Sequence, residues 1–298
     1  MKHVLTIGNF DGIHLGHRRL LTLMLEQAAQ RELQPVVITY TRHPAYTLNP
    51  YPQALDLMPP QIRNAKLKSM GINEIEMLTF SPDFARTTAD DFLHNYLMPK
   101  YEPELIVVGF DSHFGYKREG DYSFLQSHSQ VYGYDLLYVE PELFQGNPIS
   151  SSLIRSMLQK AELKLANQLL GEPYSLYGTV IRGRGAGRGL GFPTANLKLD
   201  HPQQLIPACG IYLSKVHLGD QDYYGLTNIG YSPTLVSAGN LVIETFILDF
   251  DRDIYGDRIT VQLLDYLREE KVFSSRAELV NAMQSDLALA RNLIRSYP

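Results

Sequence analysis

Hydrophobic and polar residues follow two different patterns along the chain. Up to about residue 170, short apolar runs alternate with longer stretches in which apolar residues recur at helical spacing. This alternation of strands and helices is typical of a parallel sheet covered by helices. The predicted strands cover residues 4–7, 36–40, 75–78, 105–108 and 136–139. The first part of the chain is therefore predicted to be an α/β domain.

The pattern changes after Gly171-Glu172-Pro173, which reads as a helix stop followed by a turn. From there on, short runs rich in Tyr, Ile, Val and Thr are punctuated by Gly and Asp, a pattern that favours an antiparallel sheet or a small barrel. The predicted strands cover residues 175–181, 211–217, 223–229, 242–248 and 258–266, and a closing helix is predicted at about residues 275–295. We therefore predict two domains, residues 1–172 and 173–298.

Residues 8–17, GNFDGIHLGH, form a glycine-rich turn between the first predicted strand and the first predicted helix, and we call this segment the histidine turn. His14 and His17 fall at the N-terminus of that helix, where free amides and the helix dipole favour an anion. Histidines there can donate hydrogen bonds to phosphate oxygens, which suggests nucleotidyl transfer. The alternative is that both are ordinary turn and cap residues. The other candidate nucleotide ligands of this turn are Gly8, Asn9, Phe10 and Asp11.

A second candidate segment places hydroxyl groups and an arginine at the start of a predicted helix. Ser150 and Ser151 precede Arg155 by about one helical turn, and hydroxyls, helix amides and a guanidinium together can hold a triphosphate. The alternative is plain N-capping by serine. Parallel sheets bind ligands at the carboxyl ends of their strands. Three predicted loops lie there, at residues 9–17, 42–44 and 109–121, and together they could form one ligand-binding crevice.

The second domain carries a Gly/Arg-rich loop at residues 183–191, followed by FPTAN at 192–196. Gly183, Gly185 and Arg188 are candidate nucleotide ligands, although such a loop can also be only a surface connection. Thr194 and Asn196 can present oxygens to a Mg²⁺ ion that bridges phosphates.

Glu244 lies within a run of strand-forming residues. It either acts as a general base in a cleft or points to the solvated face of an edge strand.

Composition narrows the classes of partner. The 298-residue chain has a formal net charge of -5, which gives no basic footprint for nucleic acid. Cys209 is the single cysteine, so no intramolecular disulfide forms and a cytoplasmic location is expected. We also expect no leader segment, because residues 8–17 interrupt the first apolar run. No membrane insertion is expected, because no apolar run is long enough to span a bilayer. The composition carries no prediction of oligomeric state.

Taken together, the motifs resemble those of the bifunctional riboflavin kinase/FMN adenylyltransferases, the prokaryotic FAD synthetases, over essentially the whole chain. The histidine turn and ISSSLIR at 149–155 are similar to that family's adenylyltransferase signatures. The segments LGFPTAN at 190–196, TNIGYSPT at 227–234 and YGDRI at 255–259 are similar to its kinase signatures. The resemblance implies a Rossmann-like nucleotidyltransferase domain with a parallel sheet, followed by an antiparallel β-barrel domain with a closing α-helix.

The resemblance also implies two consecutive reactions, with ATP as co-substrate, Mg²⁺ as cofactor and flavins as substrates and products. Riboflavin and ATP give FMN and ADP, and then FMN and ATP give FAD and pyrophosphate. Glu244 would take the proton of the ribityl 5′-hydroxyl, whereas His14, His17 and Arg155 would neutralise charge in the second step. The residues implied in flavin binding are Asp111, Phe114 and Arg268.

Departures from the family pattern concentrate in the first domain. DSHFG at 111–115 stands where the family usually has DFRFG, RHP at 42–44 replaces PHP, and SSSL at 150–153 replaces SSTR. In the kinase loop, Ala186 stands where an arginine is common. These changes motivate an alternative, a riboflavin kinase whose first domain only binds nucleotide or flavin. A third interpretation, an aminoacyl-tRNA synthetase-like protein, conflicts with the acidic charge and with the lack of a KMSKS-type loop.

Overall fold

The computed structural model describes residues 2–49, 56–183, 191–231 and 241–297. The chain divides into two compact units, Met1–Ser151 and Ser152–Pro298. The domain boundary drawn above at residue 172 stays a prediction.

A five-stranded parallel sheet forms the centre of the first unit, with strand order β3-β2-β1-β4-β5. Its strands are β1 (His3–Ile7), β2 (Gln34–Tyr40), β3 (Glu74–Leu78), β4 (Pro103–Gly109) and β5 (Asp135–Val139). The central strands are buried along most of their length, which is why they read as continuous apolar runs and not as alternating ones. The prediction of a parallel α/β sheet is confirmed.

Helices connect these strands, and the first of them carries the histidine turn at its N-terminus. The helices are α1 (Leu15–Arg31), α2 (Ala45–Leu48), α3 (Pro60–Ser69), α4 (Ala89–Phe92), α5 (Met98–Tyr101) and α6 (Tyr122–Tyr132), with a π-helical turn at Leu93–Leu97. In α1, Leu20, Leu21, Met24 and Ala28 are buried at the spacing of one helix face. A short hairpin, β6 (Leu143–Phe144) and β7 (Asn147–Pro148), follows β5.

The second unit is a closed antiparallel barrel, as the resemblance implied. Going round the barrel, the strand order is β10-β11-β12-β9-β8-β13, and β13 pairs with β10 to close it. The strands are β8 (Tyr174–Ile181), β9 (Ala195–Leu199), β10 (Gly210–Leu218), β11 (Gln221–Tyr231), β12 (Leu241–Ile247) and β13 (Arg258–Arg268). Sequence analysis did not predict β9, because Leu197 is its one buried residue and the others give no clear alternation.

Three helices of the described residues accompany the barrel, α7 (Ser151–Gln159), α8 (Leu163–Leu170) and α9 (Arg276–Ile294). The predicted closing helix is confirmed as α9, whose N-cap Ser275 accepts a hydrogen bond from the Glu278 amide at 3.2 Å. Ala290 of α9 packs in one apolar cluster with Leu213 of β10 and Leu264 of β13, so these two side chains lie on the outer face of the barrel.

Three fully buried hydroxyl groups form a chain across neighbouring strands. The Ser214 and Thr227 hydroxyl oxygens are 2.8 Å apart, and those of Thr227 and Thr245 are 2.9 Å apart. Because successive residues of a strand point to opposite faces, these side chains lie inside the barrel and Leu213 lies outside. Each hydroxyl satisfies its neighbour, so the apolar interior tolerates the three polar groups.

Replacing the central hydroxyl should be the most costly change in this chain. Thr227→Val removes the partner of both Ser214 and Thr245, and we expect a loss of about 1–3 kcal/mol in the free energy of unfolding. Thr245→Val should cost less, because the Ser214–Thr227 hydrogen bond survives. Urea unfolding followed by circular dichroism measures both, with Thr227→Ser as the control that keeps the hydroxyl. Equal losses from both valine variants would contradict the proposed chain.

Candidate active sites

The histidine turn leaves β1 at the carboxyl edge of the sheet and is anchored by backbone contacts. The Gly8 amide donates to the Ile38 carbonyl of β2 at 3.0 Å. Phe10 and Ile13 are buried and hold left-handed φ values of 49° and 41°, which are unfavourable for side chains of this size. The surrounding packing therefore fixes a strained backbone at the place where sequence analysis predicts nucleotide binding.

The two histidines lie at the start of α1, and this part of the prediction is confirmed. His14 is the N-cap residue, and its Nδ1 accepts a hydrogen bond from the His17 amide at 3.4 Å. The two imidazole rings stack with centroids 3.7 Å apart, and His14 is only 4% exposed. Since Nδ1 is an acceptor, neutral His14 carries its proton on Nε2, and Nε2–H is the group that can donate to a phosphate.

Asp11 is engaged with the protein backbone. Its side chain is 2% exposed, and both carboxylate oxygens lie 2.9 Å from the Leu57 amide, with the Met58 amide at 3.4 Å from one of them. The Asp11 carbonyl accepts a hydrogen bond from the Ser151 hydroxyl at 2.9 Å. The structure thus brings Ser151 and the adjoining Ser150 to the histidine turn. A direct contact between Asp11 and nucleotide stays a prediction.

Arg155 lies on α7 within the second unit, whereas Ser150 and Ser151 close the first. Its part in triphosphate binding stays a prediction.

The segment 111–115 follows β4 at the same edge of the sheet. His113 contacts Arg118 through Nδ1 and Nη2 at 3.0 Å, and the Ser112 hydroxyl accepts from the Gly109 amide at 2.9 Å. Phe114 is buried, with ring centroids 5.7 Å from Phe92 and 5.9 Å from Phe124. The Phe114 ring therefore belongs to the hydrophobic core. Flavin binding by Asp111 and Phe114 stays a prediction.

In the second unit, strand register places Glu244 between two asparagines. Glu244 of β12 lies opposite Asn228 of β11 on one side and opposite Asn196 of β9 on the other. Directly opposed side chains have Cβ atoms about 4.5–5.5 Å apart, so these three side chains are neighbours. We call Asn228, Glu244 and Asn196 the polar row. Thr245 points into the barrel, so the polar row lies on the outer face. The Asn228 Oδ1 is buried and has no hydrogen-bond partner among the described residues.

Burial and a neighbouring carboxylate both act on Glu244. Desolvation raises the pKa of the half-buried Glu244 carboxyl, and the negative charge of Glu270 raises it further. Glu270 packs directly over Gly230 of β11, where a Cβ atom would collide with its carboxylate. A raised pKa makes Glu244 a stronger proton acceptor, which is the property that a general base needs.

A cleft of about 450 Å³ is lined by Thr194, Ala195 and Thr245, which adjoin Asn196 and Glu244 in the sequence. Thr194 lines this cleft together with Thr245, Phe250, Arg252 and Tyr255. Gly183 lies against the Asn196 side chain, so these two predicted site residues are brought together. Gly185 and Arg188 lie outside the described residues.

Arg268 at the end of β13 has its guanidinium committed to protein groups. It forms a two-fold hydrogen bond with the Asp286 carboxylate of α9 at 2.8 and 2.7 Å, and Nη1 donates to the Glu269 carbonyl at 2.9 Å. This places Arg268 at the junction of the barrel and α9, and its predicted contact with flavin stays a prediction.

Sequence reasoning did not select Asn228 as a site residue. The TNIGYSPT match contained it, but only the pairing of β11 with β12 shows that it stands beside Glu244. The local signal was an asparagine within a run of strand-forming residues.

Comparison with known families assigns a class to each part of the chain. The sequence model of the family described as FAD synthetase matches residues 1–153, and that of riboflavin kinase matches residues 170–294. The protein therefore combines two domains of flavin-nucleotide-synthesising enzymes. Within the described ranges, none of the helices has both the length and the apolar character needed to cross a lipid bilayer.

Individual relatives match over nearly their full length. The bifunctional riboflavin kinase/FMN adenylyltransferase of Listeria monocytogenes is 34% identical and covers 96% of this chain and 90% of its own. The protein of that name from Escherichia coli K12 is 35% identical and covers 97% and 91%. A solved Streptococcus pneumoniae structure titled a macrolide-efflux protein has a TM-score of 0.89 at 33% identity, covering 98% and 94%. The chain belongs to the bifunctional riboflavin kinase/FMN adenylyltransferase family.

The charge of Glu270 should be visible in the pH dependence of riboflavin phosphorylation. Glu270→Gln removes the negative charge that raises the pKa of Glu244, so the acid limb of the pH–rate profile should move to lower pH. Initial rates of FMN formation measure this limb. They should be recorded from about pH 4 to about pH 9, a range that includes the pKa of a glutamate in a protein. Glu269→Gln is the matched control and should leave the limb in place. A shift of equal size in both variants would contradict a specific action of Glu270.

Proposed function

We propose that the protein phosphorylates riboflavin with ATP to FMN in its second unit and adenylylates FMN to FAD in its first, releasing pyrophosphate. The observation that carries this proposal is that each unit matched to a family contains its own candidate site. One is Glu244, which lies opposite an asparagine on each neighbouring strand, and the other is a histidine pair at a helix N-terminus.

In the kinase step, Glu244 acts as the general base. Its carboxylate accepts the proton of the ribityl 5′-hydroxyl as that oxygen attacks the γ-phosphorus of ATP, and ADP leaves with the electrons of the broken P–O bond. Asn196 and Asn228 lie opposite Glu244 on the two neighbouring strands, where their amides are close enough to contact a substrate bound at the carboxylate.

The residues beside Glu244 fit a Mg²⁺ ion. Thr194 offers a hydroxyl oxygen at the cleft, and Asn196 offers an amide oxygen from the adjoining strand. Hydroxyl, amide and phosphate oxygens are hard ligands of the kind that Mg²⁺ prefers. When bound, the ion would neutralise the charge that develops on the transferred phosphoryl group. Thr194 and Asn196 would hold it.

The adenylyl transfer step needs no base, because the FMN phosphate is already an anionic nucleophile. A phosphate oxygen of FMN attacks the α-phosphorus of ATP, and pyrophosphate leaves. The histidine turn contributes positioning and charge stabilisation, chiefly through the His14 imidazole and the positive end of the α1 dipole. Ser150, Ser151 and Arg155 are assigned the remaining phosphate contacts.

A kinase whose first domain only binds ligand is not favoured. Its motivation was the departure at residues 111–115, yet relatives named as bifunctional align with both halves of the chain. We further propose that the enzyme acts in the cytoplasm on small molecules alone, without a nucleic-acid or membrane partner.

Product analysis with three proteins tests the assignment of the two sites. The parent protein, incubated with riboflavin, excess ATP and Mg²⁺, should yield FAD. The double variant His14→Ala, His17→Ala should stop at FMN, with adenylyl transfer reduced on the order of 10²–10³-fold because charge stabilisation is lost. Glu244→Gln should yield neither product, because the general base is absent. Liquid chromatography with absorbance detection separates riboflavin, FMN and FAD.

Supplying FMN directly provides the control. Glu244→Gln should still convert added FMN to FAD, since its first unit is unchanged. FMN as the final product of the parent protein, with no pyrophosphate release, would overturn the adenylyltransferase assignment and support the kinase-only alternative.

The raised pKa of Glu244 also predicts an effect on stability. The folded protein holds this proton more tightly than the unfolded chain, so the contribution of Glu244 to stability declines as the pH rises. Glu244→Gln should therefore raise the unfolding temperature at pH 8, and the gain should fade as the pH is lowered through the pKa of Glu244. Calorimetry at several pH values measures this. A gain that is independent of pH would contradict the linkage.

A further inference from the structure

A buried arginine connects two segments of the adenylyltransferase site. Arg63 lies on α3 and is only 4% exposed. Its Nη1 donates to the Asn9 carbonyl at 2.9 Å, and its Nη2 donates to the Tyr40 carbonyl. Asn9 belongs to the histidine turn, whereas Tyr40 ends β2 and precedes residues 42–44. One guanidinium therefore links the turn after β1 to the end of β2.

The electrostatic surroundings explain how this charge is accommodated. Burial lowers the pKa of the Arg63 guanidinium, and the nearby carboxylates of Asp11 and Asp56 counteract that effect. Asp11 and Asp56 are themselves buried, so the positive charge is balanced locally. An arginine stays protonated in such a setting, and both donor groups remain available to the carbonyls. The local carboxylates offset the positive charge of Arg63. The placement of its N–H donors is therefore what Arg63 contributes to the structure of the turn.

The histidine turn and the segment that carries Arg63 are joined by hydrogen bonds at two places. The Asp11 carboxylate holds the Leu57 and Met58 amides, and that segment leads directly into α3, which carries Arg63. Arg63 returns to the Asn9 carbonyl, which also accepts from the Thr39 hydroxyl at 3.2 Å. The Asn9 backbone is thus held from two sides, while its buried side-chain Oδ1 has no hydrogen-bond partner among the residues described.

We infer that Arg63 is a positioning residue for adenylyl transfer, whose two-armed donor geometry holds the Asn9 carbonyl of the histidine turn in register with the end of β2. This inference rests on the proposed adenylyltransferase function of the first unit. Arg63 binds backbone carbonyls and acts on substrate through the turn alone. A lysine keeps the charge but has no planar fork, so it cannot serve both carbonyls in the same geometry.

The test compares Arg63→Lys and Arg63→Ala with the parent protein in both reactions. We expect kcat/KM for ATP in adenylyl transfer to fall about 100-fold in each variant, because displacement of catalytic groups by about 1 Å has an effect of this size. Riboflavin phosphorylation in the same molecules serves as the internal control and should not change. Lys68→Ala, an exposed residue of the same helix, is the matched surface control and should leave both reactions unchanged. Calorimetric ATP titration of the parent protein and of both Arg63 variants accompanies the kinetics.

Chemical rescue separates positioning from a general structural role. Added guanidinium at millimolar order should restore part of the activity of Arg63→Ala, whereas ammonium should not, because only guanidinium reproduces the fork. Full adenylyl transfer by Arg63→Lys would overturn the inference, and so would an equal loss of both reactions with a lowered unfolding temperature. If the parent protein itself forms no FAD, the proposed function fails, and weaker ATP binding by Arg63→Lys in the titration would still support the role of Arg63.

Discussion

Strand register is the constraint on which both candidate sites depend. In the barrel, a shift of β12 by one residue would turn Glu244 inward and Thr245 outward, because side chains alternate between the faces. The buried hydroxyl chain through Ser214, Thr227 and Thr245 opposes such a shift, since its hydrogen bonds form only in the observed pairing. Polar groups inside the barrel therefore keep the Glu244 carboxylate on the outer face. In the first unit, the parallel pairing of β1 with β2 and β4 brings three loop segments to one edge.

The sequence predicted those elements whose signals are local. The strand, glycine-rich turn and amphipathic helix at the N-terminus follow one another directly, and α9 has both an apolar pattern and a serine cap. By contrast, β9 and the position of Asn228 beside Glu244 depend on pairing with strands that are distant in sequence. Neither hydrophobic periodicity nor a motif contains that information, so the polar row emerged only from the folded barrel.

Several residues selected for ligand chemistry are occupied with structural contacts. Asp11 accepts backbone amides, Phe114 packs in the core and Arg268 pairs with Asp286. The reason is general: the groups that recognise phosphate or flavin are also those that satisfy buried polar atoms or fill apolar space. The converse holds for Arg63, which resembles a surface residue of a polar helix in the sequence. Its burial and its two carbonyl partners become apparent only when α3 docks against the ends of β1 and β2.

The packing around Phe10 limits how this part of the chain can change in evolution or by engineering. A Cβ atom at position 8 would lie 3.0 Å from the Phe10 ring, and that ring in turn contacts the His17 imidazole with centroids 5.2 Å apart. Glycine at position 10 would suit the left-handed backbone, yet it would remove the support of His17. Positions 8, 10 and 17 should therefore covary as one unit, and libraries that randomise them singly would recover mostly inactive sequences.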